Sequence, residues 1–282
     1  YLTRPLVNEG ASMIEKYAKQ RGELLSQLDG MRLHVDTTKR IATLTLDRPP
    51  LNIVSYKARQ QIGALFEELG RDPEVGVIVI RGANGVYTSG GDVRGFFDVP
   101  RDGMSHLAWN IGAPERCPKP VIAALEKYAF GVGWELALAC DFRLATKETL
   151  VALPEITIGQ MPGSGGSMRV LRMVGMGRAK DMVLMGRRLP APEAHAWGLI
   201  TEVVEDSAAM DKAIESYAAK LNALSPLALK TLKRVLNQGE DSSLEASFDL
   251  EGHAYEKLRD SDDYREGAHA FFEKRKAKYT GQ

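Results

Sequence analysis

The chain has 282 residues, 44% of them hydrophobic and 26% charged, with 37 Lys+Arg balancing 37 Asp+Glu. A chain of this length buries roughly three quarters of its unfolded surface, which suits one substantial core with a satellite and argues against a tandem array. Charge neutrality excludes a nucleic-acid partner bound through a basic stripe, because counterion release needs a local excess of Lys and Arg.

Residues 1–29 have a helix-like composition, with Ile14, Tyr17, Leu24, Leu25 and Leu28 as candidate contacts, and are read as an extension packed on the rest. From Met31 the period changes to two: Leu33 and Val35 alternate, DTTK supplies a turn, and Ile41, Thr43 and Thr45 oppose Ala42, Leu44 and Leu46. That pattern predicts a hairpin. After DRPPLN, the spacing of Ile62, Leu65, Phe66 and Leu69 predicts a helix over 56–69, with Gly70 as its C-terminal cap and Pro73 blocking continuation. The apolar run Val75 to Ile80 reads as a strand covered on both faces.

Strand-like runs recur at 121–124 and 142–145, each followed by a glycine-rich turn and a helical pattern, which predicts stacked ββα units rather than a doubly wound sheet. Beyond about residue 205 only amphipathic helices are expected: Ala213 to Leu224, a start at Ser225-Pro226 leading into Ala228 to Leu236, and Leu244 to Leu258. The chain thus divides into an extension (1–29), a core (30–205) and a helical region (206–282). Two cysteines, Cys117 and Cys140, make no disulfide framework and point to core thiols in a reducing, cytoplasmic compartment. No run approaches the ~20 apolar residues of a membrane span, and the charged N-terminus is unlike a signal peptide, so no membrane partner is expected. The five histidines are scattered without metal-site spacing, so no metal site is assigned.

Three glycine-rich turns occupy the middle of the chain: YTSGGDVRGF (87–96), YAFGVGWELALACD (128–141) and IGQMPGSGGSMRV (158–170). Each joins an apolar run to an expected helix, where free N–H groups favour an anion. There is no GK[ST] and no complete G-x-G-x-x-G, so nucleotide chemistry is set aside, and GSGG (163–166) is read as a backbone device. Facing amides from the first two turns would instead stabilise an oxyanion. Glu135 and Glu155 are carboxylates in apolar segments, open to two readings. They are caps or partners of an arginine such as Arg143 or Arg169, or they are an acid and a base whose pKa values burial and mutual repulsion hold apart.

In order and spacing, DRPPLN (47–52), YTSGGDVRGF (87–96), KPVIAALEKYAFGVGWELALACDFRLAT (119–146), LPEITIGQMPGSGGSMRV (153–170), AHAWGLITEVV (194–204) and the tail SDDYREGAHAFFEKRKAKY (261–279) resemble the crotonase, or enoyl-CoA hydratase/isomerase, family. The resemblance implies an α/β fold, a crotonase-like spiral of repeated ββα units with a C-terminal helical trimerisation region. It further implies a homotrimer or homohexamer and an acyl-CoA substrate. The oxyanion-hole amides would be those of Gly91 and Val132, with valine standing where glycine is usual. Glu135 would be the base toward a water adding at C3 of a 2-enoyl-CoA, and Glu155 the acid at C2. Syn hydration to a 3-hydroxyacyl-CoA follows, with no cofactor beyond the coenzyme A of the substrate.

The same likeness makes Ser89, Gly90, Asp92, Phe96 and Trp134 candidate pocket residues, Arg48 and Leu51 candidate CoA contacts, and Phe271 and Lys274 candidates for the CoA nucleotide of the same or a neighbouring subunit. DRPPLN is one residue shorter than the common form, and Glu126-Lys127 stands where Asn-Gly is common. Phe96, Phe97 and Trp109 either pack a helix or wall a branched or ring-bearing acyl group. The alternatives left open are an enoyl-CoA isomerase, a thioester hydrolase or C–C bond enzyme, a hydratase of cyclic dienoyl-CoA, and a non-catalytic acyl-CoA-binding member.

Overall fold

A computed structural model describes residues 16, 18–99 and 106–282. Ile14 and Tyr17 of the extension, and 100–105 of the aromatic segment, lie outside the described residues. The strands are β1 (Met31–Asp36), β2 (Ile41–Leu46), β3 (Val77–Gly82), β4 (Val121–Leu125), β5 (Tyr128–Phe130), β6 (Phe142–Thr146), β7 (Leu150–Ala152), β8 (Leu189–Pro190) and β9 (Glu202–Val204). Between them run α1 (Tyr56–Arg71), α2 (Leu107–Ile111), α3 (Ala113–Arg116), α4 (Val132–Leu138), α5 (Gly166–Leu184) and α6 (Ala191–Ala196). Four helices close the chain: α7 (Ser207–Asn222), α8 (Pro226–Gly239), α9 (Leu244–Arg259) and α10 (Asp262–Phe272).

One sheet has the order β1-β2-β3-β4-β6-β9 and a second the order β5-β7-β8. Successive units therefore place one strand in each sheet, with a helix closing the turn: β4, β5 and α4, then β6, β7 and α5. The large sheet is parallel except for the β1–β2 hairpin, whose register pairs Met31 with Leu46 and Asp36 with Ile41. Side chains alternate faces along a strand. Accordingly Ile78, Ile80, Val121, Ala123 and Leu125 enter the main core, whereas Val77, Val79, Ile122 and Ala124 pack beneath Met210, Ile214, Ala218 and Leu221 of α7. Each buried Ile, Leu or Val contributes about 1.5–3 kcal/mol through removal from water.

Helix starts follow their capping residues: Ser55, Asp206, Ser225, Ser243 and Ser261 each accept a backbone N–H three residues on. One expected stop is corrected. Gly70 lies inside α1, which runs to Arg71 and ends at Asp72, because the residue before Pro73 is held out of the helical region. Cys117 and Cys140 are buried free thiols. The described part of the extension packs on α1, where Gln61 Nε2 donates to the carbonyls of Leu24 (2.6 Å) and Gln27 (2.9 Å).

Candidate active site

An isolated parallel bridge between Thr88 and Ala129 brings the first two glycine turns together, and a second, Val54 with Gly91, ties the first turn to the segment before α1. Val54 N–H donates to Gly90 O at 2.9 Å and Asp92 N–H to Val54 O at 3.1 Å. In such a bridge the middle residue turns its own N–H the other way, and the Gly91 N–H has no acceptor among the described residues. On the second turn, Gly131 has φ 52° and ψ −127°, a conformation L side chains avoid, and delivers Val132 as the first residue of α4. The first N–H groups of a helix have no intrahelical acceptor, and that of Val132 donates to none of the described residues. The turns meet closely: a Cβ on Gly131 would stand 3.9 Å from Gly90 Cα and 2.9 Å from Glu155 Oε1.

Glu135 follows on the first turn of α4 and is 2% exposed. Its Oε1 accepts from the backbone N–H of Ser164 (2.7 Å) and of Gly166 (3.0 Å). The GSGG turn at the start of α5 therefore does bind an anion, as free helix-start amides favour, but the anion is the chain's own carboxylate. Glu155 sits in a 3₁₀ turn, Pro154–Ile158, with its Oε2 buried and without a hydrogen-bond partner among the described residues. Burial pushes its pKa up to about 7, the Glu135 charge adds to the rise, and its own backbone N–H and Arg59 work against it. The two glutamates are thus differentiated: one oxygen of Glu135 accepts from two backbone N–H groups, while burial holds Glu155 toward the protonated form.

Arg59, which sequence reading missed, stands beside them. It is 4% exposed, and its Nη2 occupies the space where a Gly91 Cβ would fall, 2.6 Å away. The Phe96 ring lies 4.7 Å from its Cζ, and Nη1 donates to Ser164 Oγ at 3.3 Å. Burial lowers the guanidinium pKa to about 10, against the pull of Glu135 and Glu155. A signal was present in the sequence: Arg59 falls three residues before Ile62 and seven before Phe66, on the apolar face of α1.

The arginines expected as partners of the glutamates have other roles. Arg143 donates to the carbonyls of Leu199, Cys140 and Ala137, and Arg169 pairs with Glu115 at 2.6 Å. Only part of the first turn matches expectation, since YTSGGDVRGF leads into a 3₁₀ segment, Gly95–Asp98, rather than an α-helix. There Asp92 Oδ1 accepts from Gly95 N–H at 3.2 Å. Ser89 N–H donates to Leu51 O at 2.9 Å, which ties DRPPLN to that turn, and Leu51 itself is exposed. Arg48 is engaged by Asp29.

Phe96 alone of the three aromatics contacts the site. Phe97 is exposed and Trp109 lies under Arg116, 3.7 Å from its Cζ. Trp134 does not line an open pocket, being wholly buried in the main core, with Nε1 unpaired among the described residues. Phe271 and Lys274 are exposed at the end of α10 and just beyond it, and make no contact with the glutamate cluster among the described residues.

The model of a family described as enoyl-CoA hydratase/isomerase matches residues 36–282. The 2,3-dehydroadipyl-CoA hydratase of Escherichia coli K12 is 33% identical over 256 residues, covering 89% of this chain and 99% of that protein. A Bacillus subtilis protein named "Probable enoyl-CoA hydratase" is 32% identical over 247 residues, 86% of this chain and 96% of the relative. Among solved structures, the enoyl-CoA hydratase of Bacillus anthracis superposes with a TM-score of 0.83 at 31% identity, over 90% of this chain and 100% of that one. The spiral of ββα units, the helical C-terminal region and the family match over nearly the whole sequence agree, and the chain belongs to the enoyl-CoA hydratase/isomerase, or crotonase, family.

Proposed function

We propose that the protein is an enoyl-CoA hydratase that adds water across the double bond of a 2-enoyl-CoA to give a 3-hydroxyacyl-CoA. The observation that carries this reading is the carboxyl pair, Glu135 bonded by two amides and Glu155 with its Oε2 unpartnered among the described residues and its pKa raised to about 7, beside two N–H groups without acceptors among those residues. The thioester oxygen takes the Gly91 and Val132 N–H groups, which draws electron density from C3 and stabilises the enolate that forms when water adds there. A hole of this kind contributes about 10²- to 10³-fold per donor. Glu135 removes a proton from the attacking water and Glu155 delivers one to C2 from the same face, so the addition is syn. The step leaves Glu135 protonated and Glu155 ionised, and proton exchange with solvent restores both, so that the net addition is one water; no step is routed through a further cofactor.

The same proposal extends to assembly and place. Leu232, Leu236, Leu244, Phe248, Phe271 and Phe272 are exposed on α8, α9 and α10. Apolar surface of that extent suits burial between copies in a homotrimer or homohexamer. Among the described residues no helix is long and apolar enough to cross a membrane, and the two free thiols suit a reducing cytoplasm. The test is hydration of crotonyl-CoA, followed as loss of the conjugated thioester absorbance. Turnover that is at least a hundredfold slower in Glu135→Gln and in Glu155→Gln is expected, and near-normal turnover in either would overturn the mechanism. A wild-type enzyme that moves the double bond of a 3-enoyl-CoA but adds no water would make it an isomerase.

A further inference from the structure

A buried arginine held only by its own protein has a recognisable pattern here. Arg143, 8% exposed, has its guanidinium capped by three carbonyl oxygens at 2.6–3.3 Å. Arg169 is paired with Glu115. Arg59, 4% exposed, is buried as Arg143 is, yet its one hydrogen bond among the described residues is the 3.3 Å contact from Nη1 to Ser164 Oγ. Its Nε is buried with no partner, Nη2 makes no hydrogen bond with the described residues, and no carboxylate oxygen of theirs lies within 4.0 Å of the guanidinium. Phe96 lies against it and Ser164 fixes one end, so the group is oriented, with two of its three nitrogens left for something else.

A cation taken out of water costs free energy unless an anion or several acceptors replace the lost solvation. Glu135 and Glu155 attract it from a distance, but Glu135 Oε1 is already bonded to the α5 amides. The position of the guanidinium identifies what would complete it. Nη2 lies beside Gly91, whose amide binds the thioester oxygen in the hydratase reading, so the acyl group, and not the distant nucleotide end of coenzyme A, passes this residue. Nε and Nη2 of one guanidinium present two parallel donors, the fork that matches a carboxylate.

We propose that Arg59 recognises a carboxylate borne by the acyl group, so that the substrates are coenzyme A monothioesters of short unsaturated dicarboxylic acids. Closeness to Gly91 favours a chain of few bonds between the two carbonyl carbons, and Phe96 keeps the fork facing that chain. Arg59 is then the specificity residue of the site. The inference rests on the hydratase reading for the place of the thioester, and its test separates the two.

Binding is measured by isothermal titration calorimetry with saturated thioesters, which cannot be hydrated. Glutaryl-CoA carries the carboxylate, and 5-methylhexanoyl-CoA has the same shape with two methyl groups in place of the oxygens. Wild-type protein should bind glutaryl-CoA at least tenfold more tightly, and Arg59→Met should abolish or reverse that preference. Arg59→Gln, which keeps a donor for Ser164 without the charge, should do the same and serves if Arg59→Met does not fold. No preference in the wild type, a preference that survives both variants, or an equal loss for both ligands would overturn the proposal; the last would instead make Arg59 a third donor to the thioester oxygen. Crotonyl-CoA and glutaconyl-CoA hydration is followed in parallel. Turnover of crotonyl-CoA without carboxylate preference would sink this inference alone, whereas carboxylate preference without any hydration would sink the hydratase reading alone.

Discussion

The backbone N–H of Ser164 donates to Glu135 Oε1 at 2.7 Å, across 29 residues of sequence, and so joins the first turn of α4 to the start of α5. With the Gly166 N–H at 3.0 Å, it makes one carboxylate oxygen a structural acceptor and leaves Oε2 without a hydrogen bond to the described residues. The bond has a consequence for Glu135→Gln. The amide oxygen can take over both N–H groups, so the variant should fold with an unchanged circular dichroism spectrum while kcat for hydration falls about 10²- to 10⁴-fold, the usual range for a lost general base. Loss of fold in this variant would mean that the carboxylate charge, not the acceptor, holds the turn.

The pH dependence follows from Glu155. Its pKa is raised to about 7, chiefly by burial, so the acid form needed for hydration is populated below that value and lost above it. The kcat/KM for hydration should fall tenfold per pH unit above about 7, and that for the reverse dehydration should fall in parallel, because the reaction takes up no net proton and both directions need the pair to carry one. A flat hydration profile from pH 6 to 9 would remove Glu155 from the acid role.

The raised pKa also carries a stability prediction. Between the ordinary glutamate value of 4.5 and about 7 the native state holds a proton that the unfolded state releases, so this group's contribution declines as pH rises through that window and its loss is complete above it. Glu155→Gln carries no such penalty. In urea titrations at pH 8 it should be more stable than wild type by about 1–2 kcal/mol, less than the full linkage value because the carboxyl is partly solvated, and the gap should close toward pH 4.5. A variant less stable than wild type at pH 8 would contradict this.

Val132→Pro tests the second amide in isolation. Proline is accepted at the first position of a helix and lacks the N–H. The helix should therefore persist while kcat falls about 10²- to 10³-fold, or about 2.7–4 kcal/mol in barrier, with little change in binding of a saturated acyl-CoA. Val132→Ala, which keeps the donor, should retain turnover within a fewfold.

Away from the site, Lys233 fastens α8 to the spiral. Its buried Nζ donates to Asp141 Oδ2 at 2.7 Å and to the carbonyls of Pro114 and Lys119. Burial raises the Asp141 pKa and Lys233 opposes the rise. Lys233→Met should cost about 3 kcal/mol in chemical denaturation, the lower end of the buried-pair range, because it strands a carboxylate that is only partly exposed. Adding Asp141→Asn should recover part of the loss, since the amide oxygen can still accept from the Val121 N–H.

Several parts of this molecule were open to reading from the residues alone. The apolar runs of β3 and β4 announce strands covered on both faces, Ser225-Pro226 announces the start of α8, and the two glycine turns mark where free amides would lie, because these features depend on local periodicity and backbone freedom. The short strands β7 and β8, of three and two residues, carry no period to detect. Motif position alone does not tell a pocket residue from a core one: Trp134 stands in a motif block and its ring fills the core, whereas Arg59 reaches the site from outside every block.

Sequence by itself determined the family, the order of the ββα units and the two glutamates. Only the tertiary structure decided that one glutamate is bonded by the GSGG amides while Oε2 of the other has no partner among the described residues, and that a cation from α1 stands beside Gly91. The reason is physical: burial, desolvation and hydrogen-bond partnership belong to neighbours far apart in the chain, and no local pattern of residues records them.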